Sequence, residues 1–255
     1  MKMPTWEFDT VYFMYILLVF IVIYLVKNNY FKNFIKIFKE EIVRKKINII
    51  LSIILIIFII SFVDRKVAIY FLENKFSILD KLSDFGNVLG TGKYLISIIL
   101  TIGMIFLLLE KIKLLKVFYM SISAFVMTSI INPLLKAIIY RQRPYETFTE
   151  NLFFSYKRAY EEGRFFTNMY DSTYYSMPSG HTIAIASIFA VYGFYVKNKL
   201  LKFVYFGIPL ITAFGRVYTN KHWLSDTIVA YLLGIFIAGI IYKINENKLL
   251  EDKNV

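Results

Sequence analysis

The sequence predicts an all-α fold, a polytopic membrane helix bundle, and three observations carry that expectation. Hydrophobic residues fill 58% of the 255 positions, and the mean hydropathy is +0.57. Uncharged apolar runs recur from near the N-terminus to residue 242. The charges are gathered between those runs, the pattern of a chain whose solvent is largely lipid. There is no cysteine, so disulfides and thiolate metal sites are excluded.

Seven candidate spans fall near residues 10–26, 47–63, 88–109, 117–135, 182–196, 203–219 and 223–242. Several hold only 15 to 17 residues, so their helices should extend into flanking polar positions. The first run does not read as a cleavable signal peptide. Lys2 alone is basic ahead of it, Glu7 and Asp9 oppose it, and no small-residue cleavage site follows. The chain divides into an N-terminal span with a basic segment (1–46), a six-span core (47–242) and a polar tail (243–255).

Segment 27–46 carries seven Lys or Arg, and its Phe31, Phe34, Ile35, Phe38 and Ile42 recur at helical spacing. That pattern predicts an amphipathic helix on the membrane surface; a solvated basic linker is the plainer alternative. Orientation follows from the basic residues. Segments 27–46, 110–116, 197–202 and 243–255 alternate along the chain and hold 16 of the 30 Lys and Arg, which places them on the cytoplasmic side. Segments 64–87, 136–181 and 216–222 then face outward from the cell (inner) membrane. The same placement accounts for the net charge of +12, and no nucleic-acid-binding motif accompanies it.

Gly86 to Lys93 superficially resembles a phosphate-binding loop, but it has one residue too many between its glycines, and Tyr94 stands where Ser or Thr is required. Three other clusters carry chemistry. Lys136-(six residues)-Arg143-Pro144 closes the fourth span. A seven-residue spacing can project both cations from one helix face, a guanidinium fork beside a point charge. Pro178-Ser179-Gly180-His181 opens the fifth span with helix-start residues, free N–H groups and a proton donor. Arg216-(five residues)-His222-(three residues)-Asp226 places a carboxylate four residues after a histidine, within reach of one ring nitrogen. Each has an ordinary alternative: snorkelling cations, a capped helix start, a capping His–Asp pair. The joint occurrence weighs against those, because both of the chain's histidines fall in these clusters and all three lie on one predicted face.

Order, spacing and span placement of these motifs resemble the three-part signature of the type 2 phosphatidic acid phosphatase superfamily. The signature covers 136–226, and the helical resemblance extends over roughly 88–242. The resemblance implies His222 as nucleophile forming a phosphohistidine, Asp226 as its orienting partner and His181 as general acid. It further implies phosphate binding by Lys136, Arg143, Ser179, the Gly180 amide and Arg216, with neither cofactor nor metal. Two departures stand out. Gly215 occupies the position where the family usually has serine, and residues 1–46 precede the usual six spans.

The activity so implied is hydrolysis of a lipid phosphate or diphosphate, with the lipid phosphate substrate and membrane lipids as the expected partners. A lipid phosphotransferase using the same phosphohistidine is the first alternative; a non-catalytic transporter or scaffold is the second. Aromatic residues crowd the 136–181 loop: Tyr140, Tyr145, Phe148, Phe153, Phe154, Tyr156, Tyr160, Phe165, Phe166, Tyr170, Tyr174 and Tyr175. They read equally as a substrate lid and as an interfacial aromatic belt.

Overall fold

The computed structural model describes residues 30–91, 101, 105, 108–145, 153–161, 163 and 172–251. The span expected at 10–26 and most of the one expected at 88–109 lie outside the described residues. Among the described residues every regular element is a helix: α1 (Tyr30–Arg44), α2 (Lys46–Phe62), α3 (Asp64–Glu73), α4 (Ser77–Gly90), α5 (Ile112–Ile139), α6 (Tyr156–Glu161), α7 (Gly180–Tyr195), α8 (Lys199–Tyr218) and α9 (Leu224–Glu251), with a 3-10 turn at Ser172–Tyr174. The all-α membrane bundle read from the sequence is the observed architecture.

Helices α5, α8 and α9 are long and apolar enough to cross a membrane, and α1 with α2 makes one more span if that pair, bent by 78°, is taken together. The short α7 is the axis of the bundle, packed against α4, α5, α8 and α9. Its Ile183, Ile185, Ala186, Ile188, Ala190 and Val191 are all buried. A helix apolar all round must be enclosed by neighbours, and α7 is. By contrast α2 leaves Ile50, Leu51, Ile54, Phe58 and Phe62 exposed, a surface suited to lipid.

The basic segment forms a helix, as its periodicity predicts, but its apolar residues divide between two faces. Phe34 is buried and Phe31 and Phe38 pack with it, while Ile35 and Ile42 point outward. Buried Glu41 draws the inner face onto α9 by pairing with Lys243, and Asn245 donates to the Tyr30 hydroxyl.

The segments assigned to one side of the membrane meet at one end of the bundle. Lys75 Nζ donates to the Tyr218 carbonyl at 2.8 Å, and the Tyr218 hydroxyl donates to Asp80 at 2.6 Å. Part of the aromatic loop is neither lid nor belt but packing. Tyr140 lies between Tyr156 and Tyr174, with ring centroids 4.4 and 5.3 Å away. The Tyr156 hydroxyl reaches the carbonyls of Ala137 and Ile138, at 2.5 and 2.7 Å, and so caps the end of α5. Phe148, Phe165, Phe166 and Tyr170 lie outside the described residues.

Candidate active site

Lys136 sits in the last turn of α5, where its Nζ donates to the Tyr175 carbonyl at 2.5 Å. Arg143 does not share that helix face. Tyr140 adopts a left-handed conformation (φ 45°) and ends α5, so Arg143 arrives on the chain beyond it. Two backbone bonds then hold that chain against 173–176: Arg143 N–H to the Thr173 carbonyl at 2.9 Å, and Ser176 N–H to the Arg141 carbonyl at 3.0 Å. The two cations reach one site through a turn rather than along a helix.

Helix α7 begins at Gly180 with Ser179 at its N-cap, two residues later than a start at Pro178 would place it. Ser179 makes no side-chain cap; its Oγ accepts from the Thr182 hydroxyl at 3.1 Å, and its N–H bonds the Asp226 carbonyl at 3.2 Å. The start of α7 is thereby tied to the first turn of α9. His181 packs on Gly90 of α4, where an added Cβ would lie 2.6 Å from His181 Cβ. A cavity of about 220 Å³ opens beside His181, bordered by Gly90, Phe125, Thr128, Asn132 and Gly180.

Arg216, buried at the C-terminal end of α8, donates from Nη1 to Asn87 Oδ1 at 3.1 Å, while its Nε is buried without a hydrogen-bond partner. Gly215 allows this arrangement. A Cβ there would sit 2.7 Å from the Ser83 carbonyl oxygen of α4, so the two helices press together where a serine would separate them.

His222 lies in the turn between α8 and α9 and is 2% exposed. Its Nδ1 is 2.7 Å from the Ser176 carbonyl oxygen, so Nδ1 carries the hydrogen and Nε2 keeps its lone pair. The direct hydrogen bond expected from Asp226 is not made, because Nδ1 and Oδ2 stand 3.6 Å apart. Asp226 instead accepts from the Trp223 N–H at 2.9 Å, from the Ser176 hydroxyl and from Arg141. Ser176 links the two residues, binding the carboxylate by its side chain and the imidazole by its carbonyl.

The charges of Arg143, Arg216 and Lys136 all bear on His222, and those of Arg216, Lys136, Lys221 and Arg143 on His181. Burial, and then those cations, hold the His222 imidazole well below the usual histidine range, which keeps it neutral. The sequence motifs therefore converge: Lys136, Arg143, Ser179, Gly180, His181, Arg216, His222 and Asp226 gather at one end of the bundle. Sequence reasoning missed Asn87, Arg141, Ser176 and Lys221. Only Arg141 and Lys221 carried a signal, lying inside the motifs at positions left unassigned.

The structure is similar to a crystal structure of a transmembrane PAP2-type phosphatidylglycerolphosphate phosphatase from Bacillus subtilis (TM-score 0.59, 19% identity, covering 78% of this chain and 94% of that one). It is also similar to LpxE from Aquifex aeolicus (TM-score 0.51, 19% identity, covering 70% of this chain and 93% of that one). No curated protein sequence matches the chain. The sequence profile of the PAP2 superfamily matches residues 113–249, more than half of the chain and all three motifs. The chain belongs to the PAP2 superfamily.

Proposed function

We propose that this protein is a membrane phosphatase that removes phosphate from a lipid phosphate through a phosphohistidine on His222. The observation that carries the reading is the state of His222: buried, neutral, its Nδ1 hydrogen on the Ser176 carbonyl, its Nε2 lone pair available among cations. Phosphoryl transfer demands mainly positioning and positive charge around the equatorial oxygens. Lys136, Arg143 and Arg216 supply the charge, and Ser179 with the Gly180 amide supplies further donors. Nε2 attacks phosphorus, the bond to the lipid oxygen breaks, and that oxygen takes a proton from His181. Water then attacks the phosphohistidine, giving its proton to His181, and inorganic phosphate leaves. The cavity beside His181 suits the departing alcohol, which must lie next to its acid.

Membrane helices and the similarity to the Bacillus subtilis phosphatidylglycerolphosphate phosphatase support a lipid substrate. The Lys and Arg asymmetry supports a site on the extracytoplasmic side of the cell membrane. Purified protein should release phosphate from at least one of phosphatidylglycerol phosphate, undecaprenyl diphosphate, phosphatidic acid and lipid A phosphates, with a chelator present. Transfer of phosphate to a lipid or sugar hydroxyl without release would establish the phosphotransferase, and no turnover of any of the four would reject the phosphatase.

A further inference from the structure

Behind the candidate nucleophile lies a fully buried ionic cluster that joins Asp226 of the third motif to Arg141 and Asp64, to which the motifs assign no role. Arg141, Asp64 and Asp226 are each 0% exposed. Arg141 Nη2 meets Asp64 Oδ2 at 2.6 Å, while its Nη1 bonds Ser225 Oγ at 2.7 Å and Asp226 Oδ1. Ser225 closes the ring on Asp64, its N–H reaching Oδ1 at 2.9 Å and its hydroxyl reaching Oδ2 at 2.5 Å. The guanidinium also faces two aromatic rings, Phe153 at 4.5 Å and Trp223 at 5.2 Å from their centroids.

Buried ion pairs are poor stabilisers compared with apolar residues of similar shape, so a cluster this complete calls for another explanation. Its geometry supplies one. With Oδ1 held by Arg141, Asp226 turns Oδ2 to the Ser176 hydroxyl and the Trp223 N–H, not to His222. Ser176 then accepts from His222. The chain of contacts runs Asp64, Arg141, Asp226, Ser176, His222, and its far end lies at the α2–α3 junction, outside the matched 113–249.

We infer that Asp64 and Arg141 are positioning residues for phosphoryl transfer: the pair sets the place and the net charge of Asp226 behind His222. The inference rests on the phosphatase reading for its kinetic part only. His222 faces Lys136 at the end of α5, Arg143 beyond it, Arg216 from α8 and Asp226 from α9, with Lys221 adjacent and His181 of α7 in the same cluster of charge. Against that fixed field, two carboxylates and one guanidinium sum to −1. Asp64→Asn brings the sum to 0 and should make His222 harder to protonate. Arg141→Gln brings it to −2 and should make His222 easier to protonate. Structural damage alone does not predict opposite signs.

The chain has only two histidines, so 15N-histidine labelling with His181→Gln as the assignment variant resolves His222. At about pH 5.5, one unit below the unperturbed value of roughly 6.5, His222 in Arg141→Gln should be protonated to a larger fraction than in the parent. In Asp64→Asn it should stay neutral, with kcat lowered about tenfold on a lipid phosphate and KM within about twofold. Should Arg141→Gln fail to fold, Arg141→Lys, which keeps the charge, should leave the His222 titration near the parent's. A common direction of shift in Asp64→Asn and Arg141→Gln, an unmoved titration in both, or a loss carried by KM alone would overturn the inference. A parent protein that hydrolyses no lipid phosphate while the titrations still diverge would reject the phosphatase reading instead.

Discussion

Arg216 is held across two helices by Asn87, whose Oδ1 lies 3.1 Å from Nη1. The bond fixes one arm of a guanidinium whose Nε has no protein partner, leaving donors for an anion. Asn87→Ala should release that arm. A hydrogen bond to a charged group contributes about 1.5–3 kcal/mol, so kcat/KM should fall at least about tenfold, mostly through KM. Steady-state kinetics of Asn87→Ala indistinguishable from the parent would remove Asn87 from the phosphate site.

The glycine before Arg216 should resist the serine usual in the family. A Cβ at Gly215 meets a backbone oxygen, Ser83 O, which cannot swing aside as a side chain could, whereas Gly207 on the same helix faces open space. Gly215→Ser should therefore cost about 1–3 kcal/mol in overpacking, and Gly207→Ser far less. Thermal unfolding of the two variants in one detergent checks this; equal midpoints would show that α4 and α8 separate freely.

These two cases mark what was legible in the sequence. His181, Arg216 and His222 could be found because their chemistry is compressed into short motifs beside apolar runs. Their partners could not. Asn87 meets Arg216 only because α4 packs on α8, and Asp64 meets Arg141 only because the start of α3 packs on the first turn of α9. The Lys136–Arg143 spacing suggested a shared helix face, but stacking of Tyr140 between Tyr156 and Tyr174 ends the helix between them. The helical bundle itself was plain from hydropathy, since apolar runs of that length have few other folds.

Stability should fall on acidification, with His222 as one contributor. Burial and the nearby Arg143, Arg216 and Lys136 depress its proton affinity in the folded state, while the unfolded chain titrates near roughly 6.5. Above that pH both states are neutral and the group contributes no pH dependence. Below it the unfolded state binds the extra proton, so folding stability drops by up to about 1.4 kcal/mol per pH unit. His222→Gln should flatten the thermal midpoint's pH slope between about pH 6.5 and 5. A slope unchanged by that substitution would place the acid sensitivity elsewhere.

Membrane orientation is open to direct labelling because the chain has no cysteine. Lys81 and Lys197 are both exposed and fall in segments assigned to opposite sides. In intact cells a membrane-impermeant thiol reagent should modify Lys81→Cys and spare Lys197→Cys. The reverse pattern would put the histidines on the cytoplasmic side.

The two histidines should separate by leaving group. In the proposed mechanism His222 attacks phosphorus in every turnover, so His222→Ala should be inactive on all substrates. The acid role proposed for His181 matters because an alkoxide leaves poorly without a proton, whereas a nitrophenolate leaves well unaided. His181→Ala should therefore lose about 10²–10⁴-fold on an alkyl lipid phosphate, the usual range for general acid catalysis, and recover part of that on nitrophenyl phosphate. The position of the cavity argues for the same assignment, since it borders His181 and not His222. If His222→Ala were rescued by the activated ester while His181→Ala stayed inactive on both, nucleophile and acid would have to be exchanged.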